Sequence, residues 1–231
     1  MTVKQLELIN FRNYSKQTIA FGEGINILYG QNAQGKTNIL EALYISATGK
    51  SHRTNNYRDL IRHDTKGFEV NLIATIAERD NTIAVKYIFD MGKYAEINGV
   101  KREKLSDILG TLNMIFFSPE TLEVIKGSPA VRRRFIDILL CQTNRQYLHI
   151  LKQYNLLIKN KSIALKNDKN GKFSDTISVW NDQISIYGGK IAYYRMKAIN
   201  ELNLYMKREI KSITGNIEDS NMEYKTYCSI D

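Results

Sequence analysis

With 231 residues, 43% of them apolar, and a formal net charge of +9 at pH 7, the chain is long enough for one large domain or two modest ones and should be soluble and globular. The sequence has neither the roughly 20 consecutive apolar residues of a membrane span nor a signal-peptide pattern, so we expect a cytoplasmic protein. Cys141 and Cys228 lie far apart, without the spacing of a disulfide framework or a zinc site.

The first predicted elements are a β-hairpin and then a strand, a loop and a helix. Apolar residues alternate up to Phe11, and the turn N-F-R-N-Y separates them from a second strand at residues 18–21. After G-E-G, the apolar run at residues 25–29 predicts a short strand that leads into Gly30. From Lys36 apolar residues recur at helical spacing, and Thr48-Gly49 predicts the end of that helix.

The loop between this strand and helix matches a phosphate-binding motif. Residues 30–37 read G-Q-N-A-Q-G-K-T, which fits G-x-x-x-x-G-K-[ST]. Backbone N–H groups of such a loop point at phosphate oxygens, the lysine reaches the β and γ phosphates, and the hydroxyl of Thr37 binds Mg²⁺. We therefore predict that ATP and Mg²⁺ are bound by Gly30, Gln31, Asn32, Ala33, Gln34, Gly35, Lys36, Thr37 and Asn38.

Residues 67–97 change to the period of β-strands. Alternating apolar residues at 68–76 and 83–89, a turn at 78–81 and a third segment at 94–97 followed by N-G-V predict an antiparallel meander. A buried strand is predicted at 112–117, and Ser118-Pro119 after it is typical of a helix start.

Residues 129–213 predict a helical hairpin arm. Ser128-Pro129 repeats the helix-start signal, and a polar turn at 167–172 separates two heptad runs, with polar Asn144 at one heptad position. The pattern favours two antiparallel helices of some ~50 Å each, with a kink or hinge at Gly188-Gly189, over helices that wrap a compact core. The heptad residues are Leu140, Tyr147, Leu151, Tyr154 and Ile158, then Ile177, Ile184, Ile191, Ala198 and Tyr205.

The positive charge is concentrated in this arm. Residues 1–128 contain 16 Lys and Arg against 14 Asp and Glu, residues 129–213 contain 16 against 6, and residues 214–231 contain 1 against 4. A polyanion such as DNA would be attracted to the arm.

The residues after the arm resume strand-like alternation without a terminating signal, which predicts that the sequence is a fragment.

The acid that ATP hydrolysis requires is not apparent in the sequence. A metal-side acid normally ends an apolar strand. Asp90 ends a strand with two faces, and Asp137 follows three arginines at helical spacing, so both are poor candidates. The run S-I-Y-G-G-K has the wrong order for an ATPase signature. We expect the chain to bind ATP and to hydrolyse it poorly or not at all.

Distinctive motifs occur at residues 6–14, 24–43, 47–54, 97–100, 117–122 and 125–137. They include S-H-R-T and S-P-x-x-R-R-R-F. These motifs resemble those of the RecF family, bacterial recombination mediators related to the SMC and ABC-type ATPases. S-H-R-T and S-P-x-x-R-R-R-F make the resemblance specific, and it spans essentially the whole chain.

The resemblance implies an α/β fold, the P-loop head of an ABC-type ATPase, in which a mixed sheet includes an antiparallel meander and a helical arm is inserted. It implies part of the head at 1–128, the arm at 129–213 and the start of a return strand at 214–231. The signature and the Walker B acid would follow the arm. The full-length protein would be a weak DNA-dependent ATPase that forms an ATP-dependent homodimer on gapped single-strand/double-strand DNA and, with RecR and RecO, loads RecA.

The resemblance also implies roles for basic residues. Arg12 of N-F-R would approach the nucleotide, and Arg53 of S-H-R-T would contact ATP or DNA. The candidate DNA-binding residues are Arg132, Arg133, Arg134, Lys152 and Lys159. Where many relatives carry a metal-sensing glutamine before the arm, this chain has Phe117-Ser118.

Other functions remain as alternatives. Another SMC-like ATPase head would share the loop and the arm. A small-molecule or nucleotide kinase would share the loop but should complete its site within a compact domain. An interaction module would present the meander or the arm to a protein partner.

Overall fold

The computed structural model describes residues 1–167 and 174–226. The chain divides into two compact units, Met1–Pro119 and Glu120–Asp231. Cys228 and most of the polar turn predicted at 167–172 lie outside the described residues. The sequence-based division at 128 and 213 stays a proposal about the domains of the whole ATPase.

The first unit contains a six-stranded sheet in the order β2-β1-β3-β4-β5-β6, with antiparallel pairing throughout. The predicted N-terminal hairpin and the predicted meander are both confirmed. The strands are β1 (Thr2–Phe11), β2 (Tyr14–Ala20), β3 (Gly67–Ile76), β4 (Arg79–Ile88), β5 (Gly92–Ile97) and β6 (Val100–Arg102).

Tight turns with left-handed residues connect these strands. Ala77 and Glu78 join β3 to β4 with φ values of 48° and 63°, and Asn98 and Gly99 join β5 to β6 with φ values of 53° and 76°. Two-residue hairpin loops need positive φ at both positions because that backbone matches the twist of the strands. N-G supplies it readily, whereas Ala77-Glu78 adopts it despite two Cβ atoms.

Helix α1 (Lys36–Thr48) packs on one face of this sheet. It ends at Gly49, whose φ of 67° and N–H bond to the Ile45 carbonyl form the predicted helix stop. Alternate residues of the strands point to the same core. Its buried members include Leu6, Leu8, Phe11, Ile39, Ala42, Ile45, Val70, Leu72, Ala74, Ile83, Val85 and Ala95.

Two of the strand predictions for this unit are wrong. Residues 25–29 and 112–117 are not strands in the described part of the chain. Ile25 and Tyr29 are each 91% exposed and Ile115 is 90% exposed, although Leu112 is buried. An apolar run becomes a strand only when a neighbour satisfies its N–H and C=O groups, and no described strand pairs with either run.

The second unit is helical. After a 3₁₀ turn at Pro119–Leu122 come α2 (Glu123–Lys126), α3 (Pro129–Thr143), α4 (Arg145–Asn167) and α5 (Ser174–Thr214). Pro129 begins α3 directly after Ser128, as the sequence predicts. Within the described residues no helix is both long and apolar enough to cross a membrane.

The first helix of the predicted hairpin is broken at Asn144, which corrects the heptad interpretation of that position. Asn144 is extended, with φ of −136°, and its side-chain oxygen accepts a hydrogen bond of 2.9 Å from the Tyr147 N–H. Asparagine is a favoured N-cap because its oxygen satisfies an otherwise unpaired amide of the first turn. The polar residue at a heptad position is therefore a cap between α3 and α4.

The antiparallel hairpin itself is confirmed by α4 and α5. Its register places Tyr194 beside Gln146, with the hydroxyl donating at 2.9 Å, and Lys161 beside Asn181. At 1.5 Å per residue α4 extends ~35 Å and α5 ~60 Å. Helical structure continues through Gly188-Gly189, so the predicted kink there stays a prediction.

The described residues after α5 return along it and are not in a strand, so the return strand predicted within 214–231 stays a prediction. Asn203 pairs with the backbone of Met222 through two bonds of 2.8 Å, one in each direction. Residues 217–226 lie in neither a helix nor a strand. A side-chain amide here supplies the donor and acceptor that a neighbouring strand would offer.

Candidate nucleotide-binding site

The phosphate loop lies at the N-terminus of α1. Gly30, Ala33 and Gly35 have φ values of 138°, 64° and 99°, and residues 30–34 are exposed. Gly35 occupies the N-cap position, and α1 begins at Lys36. Free N–H groups at a helix N-terminus carry partial positive charge, so this end of α1 is suited to an anion.

Lys36 folds back over the loop. Its Nζ donates to the carbonyl oxygens of Gly30 at 2.7 Å and Gln31 at 2.6 Å. Charged acceptors make stronger bonds to an ammonium than neutral carbonyls do, so a phosphate entering the loop can take over these donors. The ammonium thus lies against the first two residues of the loop.

Thr37 lies on the exposed side of the first turn of α1. Its hydroxyl oxygen is the type of ligand that Mg²⁺ prefers. Among the described residues, no three carboxylate, imidazole or thiol side chains cluster as a metal site. Mg²⁺ at this position would therefore be held by Thr37 together with phosphate oxygens and water.

The N-F-R-N-Y turn packs directly against the start of α1. The Asn38 side-chain amide donates to Asn13 Oδ1 at 2.9 Å. A Cβ built on Gly35 would lie 2.7 Å from the Tyr14 hydroxyl oxygen and 2.8 Å from the Asn13 amide. Gly35 is therefore required for its positive φ, and its missing side chain also leaves room for the ends of the Tyr14 and Asn13 side chains. The motif alone predicts only the positive φ.

A buried carboxylate joins the same turn to α1. Glu41 is fully buried and receives two bonds from Arg12, Nε to Oε2 at 2.9 Å and Nη2 to Oε1 at 2.8 Å. The Ser51 hydroxyl donates to Glu41 Oε1 at 2.5 Å. Burial alone would raise the pKa of Glu41, but the bonds from Arg12 and Ser51 and the charges of Arg12 and Arg53 outweigh it and lower the pKa.

Sequence reasoning did not identify Glu41 as part of the site. The sequence nevertheless contained a signal, an acidic residue on the apolar face of the predicted helix. Glu41 follows Ile39-Leu40, and Ala42 and Ile45 next to it on the helix are core residues. An acidic residue on the buried face of a helix requires a cationic partner. The sequence gives no means of choosing that partner among 33 Lys and Arg.

Arg12, predicted to approach the nucleotide, and Arg53, predicted to contact ATP or DNA, both contact Glu41. Arg12 also donates from Nη1 to the Asp59 carbonyl at 2.8 Å. Arg53 Nη1 lies 3.0 Å from Asn38 Oδ1 and 3.4 Å from Glu41 Oε2. Arg53 is therefore placed beside the first turn of α1, whereas Arg12 is turned toward the buried carboxylate. Their contact with ATP stays a prediction.

The predicted DNA-binding residues lie in the helical unit. Arg132 donates to the Gly127 carbonyl at 2.8 Å and so closes the end of α2. The other two arginines of that run and Lys159 are exposed, and Lys152 is half-buried.

The two carboxylates considered as metal-side acids lie elsewhere. Asp90 is exposed in the turn between β4 and β5. Asp137 is bound by Arg195 and by the Tyr147 hydroxyl. Whether either residue holds a metal stays a prediction.

Comparison with known proteins decides the family. The sequence profile of a family described as "AAA domain" matches residues 5–226, nearly the whole chain. The chain belongs to the AAA domain family. It is also similar to the "DNA replication and repair protein RecF" of Clostridium botulinum, with 44% identity over 227 residues, 98% of this chain and 62% of that relative. RecF of Geobacillus kaustophilus is 42% identical over 154 residues, 66% of this chain and 41% of that relative.

Solved structures agree with the sequence relatives. The structure described as the recombination mediator protein RecF-ATP in the RecFOR pathway matches with a TM-score of 0.87 and 31% identity, over 93% of this chain and 58% of that one. A second RecF structure, described as RecF-ATPrS, matches with a TM-score of 0.83. The resemblance to RecF and the predicted P-loop ATPase fold class are confirmed. The chain spans about 62% of the length of its first curated relatives.

Proposed function

We propose that this chain is the ATP-binding part of a RecF-type recombination mediator. The observation that carries the proposal is Lys36 folded over an exposed glycine loop at the N-terminus of α1. The RecF-ATP structure supports the choice of ATP among nucleotides, since that protein shares the fold of this chain.

In this proposal the loop binds the triphosphate, and the N-terminus of α1 provides positive electrostatic potential at the phosphates. The amides of residues 30–35 and the N-terminus of α1 receive the phosphate oxygens. Lys36 neutralises the charge of the β and γ phosphates, and Thr37 with those phosphates holds Mg²⁺. When bound, Mg²⁺ would offset the negative charge of the phosphates. The described residues offer no strand-end acid beside the loop, so binding without efficient turnover is the activity proposed for this chain.

The first prediction tests ATP binding. We expect Lys36→Ala to weaken ATP binding by at least tenfold, because a charge-assisted bond to phosphate contributes about 1.5–3 kcal/mol. Titration calorimetry with ATP and Mg²⁺ would measure it. Lys50→Ala is the matched control, since Lys50 is an exposed lysine just beyond the other end of α1. Equal affinities for all three proteins would contradict the proposed function.

The wider role follows from the family and from the charge of the arm. We propose that the whole protein acts in the cytoplasm as a weak DNA-dependent ATPase that dimerises with ATP at single-strand/double-strand junctions. It would there cooperate with RecR and RecO in RecA loading. The RecF relatives are named as DNA replication and repair proteins, and residues 129–213 carry 16 Lys and Arg against 6 Asp and Glu.

The second prediction concerns DNA. Each phosphate contact contributes a slope of about −0.9 to log affinity against log salt. Replacing Arg133, Arg134 and Lys159 with alanine should therefore flatten that slope by up to about 3 in the chain extended to the length of its relatives. Fluorescence anisotropy with a gapped duplex measures the slope.

The control removes the same charge from the other unit. Lys50, Lys66 and Lys104 are exposed in Met1–Pro119, and their replacement with alanine should leave the slope nearly unchanged. If both triple variants flatten it equally, net charge rather than the arm governs binding. The arm would then no longer be assigned as the DNA-binding surface.

A further inference from the structure

Glu41 is a fully buried carboxylate on the helix that follows the phosphate loop. Glu41 lies five residues after Lys36, about 7.5 Å along the helix axis at 1.5 Å per residue. A bare negative charge at that distance would oppose the binding of a triphosphate. Glu41 is nevertheless ionised, since its pKa is lowered. Its charge must therefore be offset by neighbours on other segments.

The first neighbour, Arg12, is held rigidly. Its side chain is only 19% exposed, it makes two bonds to Glu41, and a third reaches the Asp59 carbonyl. Its backbone is left-handed, with φ of 54°, and its N–H donates to the Leu60 carbonyl at 2.8 Å. These contacts fix Arg12 in place as a counter-ion of the Glu41 carboxylate.

The second neighbour, Arg53, is held loosely. Its side chain is 44% exposed, and the contact with Glu41 is long at 3.4 Å. The same nitrogen lies 3.0 Å from Asn38, the residue directly after Thr37. An exposed guanidinium beside the first turn of the loop helix can move to a phosphate, which is a stronger acceptor than an amide.

Glu41 also shapes the loop that carries Arg53. The Ser51 hydroxyl donates to Glu41, and the same oxygen accepts the N–H groups of Arg53 at 2.9 Å and Thr54 at 3.1 Å. Ser51 is 3% exposed. The carboxylate thus fixes both the backbone of residues 51–54 and the guanidinium that projects from it.

We infer that Glu41 is a positioning residue, which keeps Arg12 as a permanent counter-ion and holds Arg53 ready to bind the triphosphate. This inference rests on the proposed ATP site. It gives the two arginines different roles: Arg53 is the phosphate contact, and Arg12 acts through Glu41.

A double-mutant cycle tests the inference. Glu41→Gln keeps the size of the side chain and removes its charge. We expect it to weaken ATP binding about tenfold in the parent and less than about twofold in an Arg53→Ala background, since the two changes remove the same interaction. Arg53→Ala alone should cost about tenfold. Equal losses in both backgrounds, or no loss, would overturn the inference.

A readout without nucleotide separates this inference from the proposed function. Hydrogen exchange of the Arg53 and Thr54 amides should become faster in Glu41→Gln, because Ser51 loses a charged acceptor. Unchanged exchange would overturn the positioning role even if ATP binds. Ser51→Ala, a milder change, should speed the same two amides and is read in the same way if Glu41→Gln folds poorly. A parent chain that does not bind ATP would end the proposed function, and with it the Arg53 assignment.

Discussion

Gly35→Ala is expected to weaken ATP binding by about tenfold to a hundredfold, because it strains the loop in two ways. At φ of 99° any side chain is strained, at a cost of about 1–3 kcal/mol. The new Cβ would also lie within 2.8 Å of the side-chain ends of Tyr14 and Asn13, so these two side chains must move aside, at a smaller cost than that of the backbone. Titration calorimetry with ATP measures the loss.

A second glycine separates the two contributions. Gly30 also has positive φ, 138°, but nothing lies within 4 Å of the Cβ position. Gly30→Ala should therefore show only the cost of the backbone, and a smaller loss than Gly35→Ala. Adding Asn13→Ala to Gly35→Ala should recover part of the affinity. If Gly35→Ala binds ATP as the parent does, the described approach of the turn to the loop is not used in binding.

Asp137→Ala is expected to destabilise the helical unit by about 2–3 kcal/mol, because it leaves a largely buried guanidinium without its counter-ion. Arg195 donates to both oxygens of Asp137 at 2.8 Å, and its side chain is 14% exposed. The Tyr147 hydroxyl donates to the same carboxylate at 2.6 Å. Asp137 thereby links α3, α4 and α5. Thermal unfolding followed by circular dichroism should show a midpoint lower by roughly 10 °C.

Asp182→Ala is the matched control for this change. Asp182 is an exposed carboxylate on α5, and its loss should stay within about 0.5 kcal/mol. Replacing Asp137 and Arg195 together with apolar residues should cost less than Asp137→Ala alone, since no charge is then left unpaired. A midpoint for Asp137→Ala equal to that of the control would show that the ion pair contributes nothing to the unit.

The same cluster raises two pKa values. Burial raises the pKa of Tyr147, and its bond to the Asp137 carboxylate raises it further. Burial disfavours the charged form of Arg195, but the bonds to Asp137 and Tyr224 outweigh it and raise the pKa of the guanidinium. Tyr224 belongs to the segment that follows α5. The cluster therefore joins this returning segment to the three helices.

Elements that depend on local chemistry were predictable from the sequence. The Asn98-Gly99 turn, the glycine loop, the start of α3 at Pro129 and the end of α1 at Gly49 depend on the backbone preferences of a few adjacent residues, whereas the turn predicted at 78–81 lies at Ala77-Glu78. The spacing of apolar residues along the strands and along α5 reflects which side chains face a core, so it also indicates these elements. The same local motifs identified the RecF resemblance.

Elements that depend on distant partners were not predictable. The runs at 25–29 and 112–117 have strand composition, yet pairing needs a neighbour, and the described chain provides none. Asn144 has the same spacing whether it lies inside a helix or caps one. The cap is chosen because α3 and α4 each pack on α5, which the spacing does not encode.

For the binding site, the sequence by itself determined the phosphate loop, since the motif is contiguous and its glycines act on their own backbone. Only the tertiary structure decided that Glu41 gathers Arg12, Ser51 and Arg53, because these residues lie 10 to 29 positions away in the chain. A buried charge determines that a partner must exist, and the path of the backbone determines which residue it is.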